Sequence, residues 1–253
     1  MEIISQNISI VSYNIHGLPW HLDNTEEICN YLIKSNVDIL CLQEVFTPWR
    51  VSLVIKILQM AGYKVYLPND SYIQTLFSSG LMICVHNRLK SRFISSCFTP
   101  FLHYSNFDIF AAKGFYAITL QLEPYNEESY IRIINTHMQS DCELNDYTGT
   151  LKTGIIRKLQ ANEIVERYKT STIPTMLLGD LNDEHCLNPW LQYTCCSKCE
   201  KVITFPSSKQ NLDHIVWIKN GFENLFGVSN IKIDSECDLS DHLPLFGVIK
   251  KID

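Results

Sequence analysis

Short groups of carboxylate, amide and imidazole residues recur along this chain, each beside an apolar run: Tyr13-Asn14-Ile15-His16-Gly17, Gln43-Glu44, Thr136-His137-Met138-Gln139, Gly179-Asp180-Leu181-Asn182, Leu212-Asp213-His214 and Ser240-Asp241-His242. These side chains bind hard cations, orient water and move protons. Glu44 follows the apolar residues 37–42, so it is expected at the end of a buried strand. A charge there is costly unless it is hydrogen-bonded or meets a cation. Mg2+ suits such a position, since it takes one or two carboxylates and keeps several waters. Asp180 and Asn182 lie two apart, and an extended backbone would turn both side chains the same way. An Asp beside a His, as at 213–214 and 241–242, can accept the imidazole N–H, fix the tautomer and raise basicity. Each residue alone has an ordinary alternative: Asn14 can close an Asx turn near Gly17, and a lone carboxylate can cap a helix. Their joint occurrence points to one metal-assisted site that hydrolyses phosphate esters.

The elements that must position these residues follow from the hydrophobic pattern. Residues 8–13, 37–42, 81–85, 115–122, 130–135, 175–178, 215–218 and 243–249 read as strands. Residues 25–33 read as a helix with Thr25 as N-cap and Glu26 and Glu27 in its first turn. A second helix starts at Thr47 with Pro48 in its first turn, carries Val54, Ile57, Leu58 and Ala61 on one face, and stops at Gly62. A third, over 152–169, sets Ile156, Leu159, Ile164, Val165 and Tyr168 on one side. The turn at 124–128 predicts an antiparallel hairpin. Helices between strands, with hairpins inside the sheets, predict a layered α/β sandwich. The two halves suggest pseudo-repeats without usable sequence self-similarity.

At 253 residues and 46% hydrophobic content the chain can bury a large core as a single domain, 1–253. The formal charge of −6, from 21 basic and 27 acidic residues, provides no global field for a long polyanion. Ten cysteines in so long a chain, with Cys41, Cys84 and Cys97 in apolar context, fit free thiols in a reducing cytosol. Cys195, Cys196 and Cys199 have no second Cys pair or His pair to complete a zinc site, and their metal or redox role stays open. No signal peptide is apparent and no run approaches a membrane span, so the expected location is cytoplasmic, with peripheral membrane contact.

Together the groups strongly resemble the endonuclease/exonuclease/phosphatase superfamily over essentially the whole chain, through Ser12-Tyr13-Asn14, Leu42-Gln43-Glu44, Asn135-Thr136-His137, Gly179-Asp180-Leu181-Asn182, Leu212-Asp213-His214 and Ser240-Asp241-His242. The resemblance implies a four-layer α/β sandwich, two mixed β-sheets flanked by helices, that hydrolyses phosphoesters with Mg2+, or Mn2+ in its place. It implies Glu44 as principal metal ligand with Asn14 beside it and Asp241 supporting the metal region. Asp180 and Asn182 would polarise the attacking water and the phosphate, and His242, held by Asp213, would act on either. All of Glu44, Asp180, Asn182, Asp241 and His242 are retained, which favours an enzyme over a binding protein on the same scaffold.

Within the superfamily, Thr136-His137-Met138-Gln139 and Lys113-Gly114-Phe115 are similar to stretches of neutral sphingomyelinases. That similarity implies His137 as a phosphate-side imidazole or leaving-group acid and Lys113 as a phosphate contact able to exchange an ion pair with Asp108. The expected substrate is a phospholipid head group, cut to release phosphocholine. The alternatives are DNA or RNA cleavage and a phosphoinositide phosphatase. The aromatic hairpin of secreted bacterial members has no counterpart here. Phe98, Phe101, Tyr104, Phe107 and Phe110, with Trp20 and Trp49, are candidates for a lipid-facing rim and equally for core.

Overall fold

The computed structural model describes residues 7–18, 23–69, 75–105, 108, 110–122, 130–141, 153–184, 191–193, 202–221 and 226–251. In chain order its elements are β1 (Ile8–Asn14), α1 (Thr25–Ser35), β2 (Ile39–Gln43), α2 (Pro48–Met60), β3 (Tyr63–Tyr66), β4 (Met82–His86), β5 (Ser91–Pro100), β6 (Gly114–Leu122), β7 (Tyr130–His137), α3 (Thr153–Tyr168), β8 (Thr175–Asp180), β9 (Leu191–Tyr193), β10 (Asp213–Ile218), β11 (Phe226–Ile233) and β12 (Leu245–Lys251).

Two six-stranded sheets result, ordered β11-β12-β1-β2-β4-β3 and β5-β6-β7-β8-β10-β9. Each is mixed in the same way. One central pair is parallel, β1 with β2 and β7 with β8, and the remaining pairs are antiparallel. Each parallel pair is joined through a helix, α1 in the first sheet and α3 in the second. The pseudo-repeat is therefore one of strand order and direction. The hairpin of β6 and β7 is antiparallel as expected, while its turn lies outside the described residues.

The central strands are buried on both faces, and period-2 alternation sends their side chains in turn to the core between the sheets and to a core under the helices. Ile8, Ile10, Ile39, Cys41 and Ile83 of the first sheet meet Ile118, Ile131, Ile133, Met176, Leu178, Ile215 and Trp217 of the second in one cluster. The opposite parity, Val11, Tyr13, Leu40 and Leu42, packs under α1 and α2 with Ile28, Leu32, Val54 and Leu58. Ile134, Leu177 and Val216 pack under α3 with Ile164 and Val165. The order of layers is thus helix, sheet, sheet, helix. Continuing the inward parity toward the strand ends reaches Asn14, Gln43, His137, Asp180 and Asp213, so the polar groups extend the apolar stripes of the core.

Beneath them a buried amide pair joins the sheets. Gln43 Nε2 donates to Asn135 Oδ1 at 2.7 Å, and Asn135 Nδ2 donates to the Leu42 and Met82 carbonyls at 2.8 and 3.0 Å. Both side chains are fully buried.

Local departures from the sequence reading have physical reasons. Thr25 lies inside α1, with Asn24 as its N-cap, because Asp23 takes the Thr25 N–H and hydroxyl. On α3, Arg157 and Gln160 are buried while Leu159 is only partly so, because the two polar side chains bind backbone at Gln139 and His103. The unforeseen β5 is an edge strand with mostly exposed side chains, and Cys97 on it is exposed rather than apolar-packed. The other described cysteines, Cys29, Cys41, Cys84 and Cys237, are buried and free, whereas Cys195, Cys196 and Cys199 lie outside the described residues.

Replacing Asn135 by Leu should remove two donors and one acceptor from this buried layer. The expected loss is about 2 kcal/mol or more of unfolding free energy. Urea denaturation monitored at Trp217 measures it, and an unchanged midpoint would refute the role given to the amide pair.

Candidate active site

Glu44 caps β2 in a left-handed conformation, φ +62°, which is uncommon for a residue other than glycine and needs its surroundings to hold it. Two glycines allow those surroundings. A Cβ on Gly17 would lie 2.0 Å from the Glu44 carbonyl oxygen, and one on Gly80, itself at φ +69°, would enter the Phe46 ring. The Val45 N–H donates to the Gly80 carbonyl at 2.9 Å, tying the turn to the strand beside it. The result aims the Glu44 carboxylate at the second sheet.

Asn14 joins the two halves. Its Nδ2 donates to Glu44 Oε1 and to Asp180 Oδ2, both at 3.0 Å, while its Oδ1 accepts the His16 N–H and closes the Asx turn that Gly17 suggested. Asp180 is central, with Nε2 of His137 and Nε2 of His242 each 3.6 Å from its Oδ2. Register places it: Asp180 stands opposite His137 on the parallel neighbour and opposite Asp213 on the antiparallel one. Asn182 does not continue the strand. It turns to φ +52°, its N–H donates to Asp180 Oδ1, and its Nδ2 donates to the Met138 carbonyl at 3.2 Å. The same carbonyl accepts Lys113 Nζ at 2.9 Å, and Lys113 pairs with the Asp108 carboxylate at 3.2 Å.

His242 Nδ1–H donates to Asp213 Oδ2 at 2.7 Å. Burial alone would lower this imidazole's pKa, but the Asp213 and Asp180 carboxylates outweigh burial and hold it up at about 10. His137 goes the other way: burial, then Lys113 and His242, push it well below the ordinary range. An imidazole driven toward neutrality, His137, thus stands beside one held protonated, His242. Burial raises both the Glu44 and the Asp180 carboxyl, Glu44 to about 7 and Asp180 to about 6, so positive charge beside either would favour its ionised form.

Asp180, Asp213 and His242 offer metal-capable atoms within 4.8 Å of one another. A protonated His242 cannot ligate, however, and its Nδ1 is committed to Asp213. Glu44 fits a cation better, because among the described residues its buried Oε2 has no hydrogen-bond partner. Asp241, the third expected metal residue, sits on the rim with its side chain 37% exposed, 3.3 Å from His16 Nδ1. His214 points outward from Asp213 by strand alternation and contacts the Asp183 carbonyl at 2.7 Å. Sequence reading missed the Met138 carbonyl, which has no side-chain signature, and the glycines that shape the Glu44 turn.

An α/β sandwich with a carboxylate–amide–imidazole site at the meeting edges of its sheets defines a metal-dependent phosphoric ester hydrolase. The Endonuclease/Exonuclease/phosphatase family model matches residues 11–242, and the chain belongs to that family. No curated protein sequence matches it. Solved structures share the fold: TDP2 of D. rerio complexed with single strand DNA product is 15% identical, with TM-score 0.71 over 97% of this chain and 100% of that one. Sphingomyelinase C from Streptomyces griseocarneus is 14% identical, with TM-score 0.68 over 96% and 99%. Beta toxin from Staphylococcus aureus, a F277A, P278A mutant with bound magnesium ions, is 17% identical, with TM-score 0.68 over the same shares.

Gly17→Ala should push the Glu44 turn out of place and lower turnover of a generic phosphodiester such as bis(p-nitrophenyl) phosphate by about 10-fold or more. Far-UV circular dichroism should be unchanged. Asp213→Asn should lower kcat by about 10³-fold, since the amide no longer orients the imidazolium. Near-normal turnover in either variant would contradict the geometry.

Proposed function

We propose that the chain is a Mg2+-dependent phosphodiesterase that cuts a choline-type phospholipid at the phosphate and releases phosphocholine. The single observation that carries the lipid reading is an apolar ledge beside the site. The Phe46 ring, two residues after Glu44, lies 6.0 Å from Phe77; the Phe77 N–H donates to the Phe110 carbonyl, and the Phe77 carbonyl accepts the Ala112 N–H next to Lys113. Beside this segment Leu76 is 72% and Phe110 43% exposed, and Trp49, three residues after Phe46 in the sequence, is 48% exposed. Tyr104 is also exposed, whereas Phe101 belongs to the core under α3, and Trp20 and Phe107 lie outside the described residues. Exposed large apolar groups at a mouth suit a lipid interface, and the net charge of −6 is a poor track for a nucleic acid.

Glu44, with Asn14 orienting it, would hold Mg2+, or Mn2+ in its place. The ion would neutralise charge on the phosphate oxygens as the phosphoester is broken. The chain's own groups divide the remaining work. Asp180, anchored by Asn14 and the Asn182 N–H, would take a proton from the attacking water. The His242 imidazolium, held by Asp213, would hydrogen-bond the phosphate and pass its proton to the leaving oxygen as the phosphoester bond breaks, and Lys113 would leave Asp108 to meet the phosphate. The free thiols among the described residues suit a cytoplasmic protein acting at a membrane surface. Among the described residues no helix is long and apolar enough to cross a membrane.

The test is turnover with Mg2+ on sphingomyelin in detergent micelles, abasic duplex DNA, single-stranded RNA and inositol phosphates, with His137→Ala as control. The expected result is phosphocholine release that stops with chelator. Glu44→Gln should lose about 10³-fold in turnover and most Mg2+ affinity by calorimetry. Rapid cleavage of a nucleic acid without phosphocholine release would overturn the lipid reading, and chelator-resistant turnover would overturn the metal one.

A further inference from the structure

The Asp213 carboxylate has an unusual support. Its Oδ2 meets His242, but among the described residues its buried Oδ1 has no hydrogen-bond partner. Its direction is therefore set through the main chain, at the first residue of β10. A buried threonine at the root of an exposed turn controls that point. Thr204, fully buried, stands before a turn closed by a bridge between Phe205 and Gln210. Its Oγ1 accepts the Leu212 N–H at 2.9 Å and the Asp213 N–H at 3.0 Å. A threonine hydroxyl has two acceptor lone pairs, and both are used here.

The same residue reaches the other partner. The Thr204 carbonyl accepts the Leu243 N–H at 2.7 Å, one residue past His242, and its own N–H donates to the Gln210 carbonyl at 3.0 Å. Phe205 then places its ring 4.8 Å from the His242 imidazole, at 48° between planes. Asp213 precedes the body of β10 in the second sheet, and His242 precedes β12 in the first. Thr204 thus fixes both arms of an acid–imidazole pair contributed by different sheets.

We propose that Thr204 and Phe205 are positioning residues for the hydrolytic pair: Thr204 sets the Asp213–His242 separation through three main-chain bonds, and Phe205 limits the tilt of the imidazole. This rests on the reading of Asp213 and His242 as working parts of the phosphodiesterase. Small misplacements of such a pair cost turnover more than binding, because the alignment matters most in the transition state.

Thr204→Val keeps the branched shape and removes both lone pairs, while Thr204→Ser keeps the hydroxyl. Thr204→Val should lower kcat by about 10²-fold and leave KM within about twofold, and Thr204→Ser should recover most of the loss. In the metal-free protein the downfield Nδ1–H proton resonance of His242 should be present in the wild type and Thr204→Ser, and broadened away in Thr204→Val. If Thr204→Val does not fold, Phe205→Leu supplies the test, with kcat lowered about 5-fold at constant KM and the resonance weakened. Full kcat and an intact resonance in Thr204→Val would overturn the proposal, as would a loss that Thr204→Ser fails to rescue. A wild type inactive on every phosphoester would overturn the function instead, and the resonance would still decide the positioning role.

Discussion

The contact between Gln43 and Asn135 governs the rest of the molecule. An apolar core between two sheets is strong but weakly directional, and sliding one sheet over the other changes its burial little. Amides carried on opposite sheets restrict that freedom, since a fully buried amide is costly unless its donors meet acceptors of the right geometry. Here one amide also reaches Ser12 Oγ and the Cys41 carbonyl, and the other reaches two carbonyls of the facing sheet. The register they impose brings Asn14 within 3.0 Å of Asp180 and His242 within 2.7 Å of Asp213, contacts that cross between the sheets.

Two histidines of the site show how far surroundings outweigh residue type. His137 and His242 approach the same Asp180 oxygen at the same 3.6 Å, yet one is driven neutral and the other held protonated. The difference lies in the second partner. His242 has Asp213 behind it, whereas the buried Nδ1 of His137 finds no hydrogen bond among the described residues and Lys113 stands nearby. Two identical side chains thus stand in one site as a charged donor and an uncharged imidazole.

Much of this was legible in the sequence because the polar groups sit where inward-facing apolar stripes end. Ile10 and Ser12 lead to Asn14, Ile133 and Asn135 to His137, Leu178 to Asp180; the period announces which way each points. What stayed hidden depended on distant contacts. Nothing local marks Glu44 as left-handed, because the carbonyl it presents to Gly17 and the packing of Phe46 against Gly80 are tertiary. The two-residue spacing of Asp180 and Asn182 suggested a shared face, but the chain turns at once so that the Asn182 N–H can meet Asp180. Ser91–Pro100 reads as polar because one edge strand of the second sheet keeps its side chains in solvent, and Arg157 is drawn inward by the Gln139 carbonyl and the Asp141 and Asp183 carboxylates.

The matching strand order of the two sheets carries a kinetic consequence. Asn14, Glu44 and His242 hang from one sheet, and Lys113, His137, Asp180 and Asp213 from the other. Neither sheet carries the whole constellation by itself. A collapsed intermediate with both sheets formed but not yet docked would carry native secondary structure and no hydrolytic power. Recovery of catalysis during refolding would then time the closing of the sandwich itself, separately from the formation of its strands.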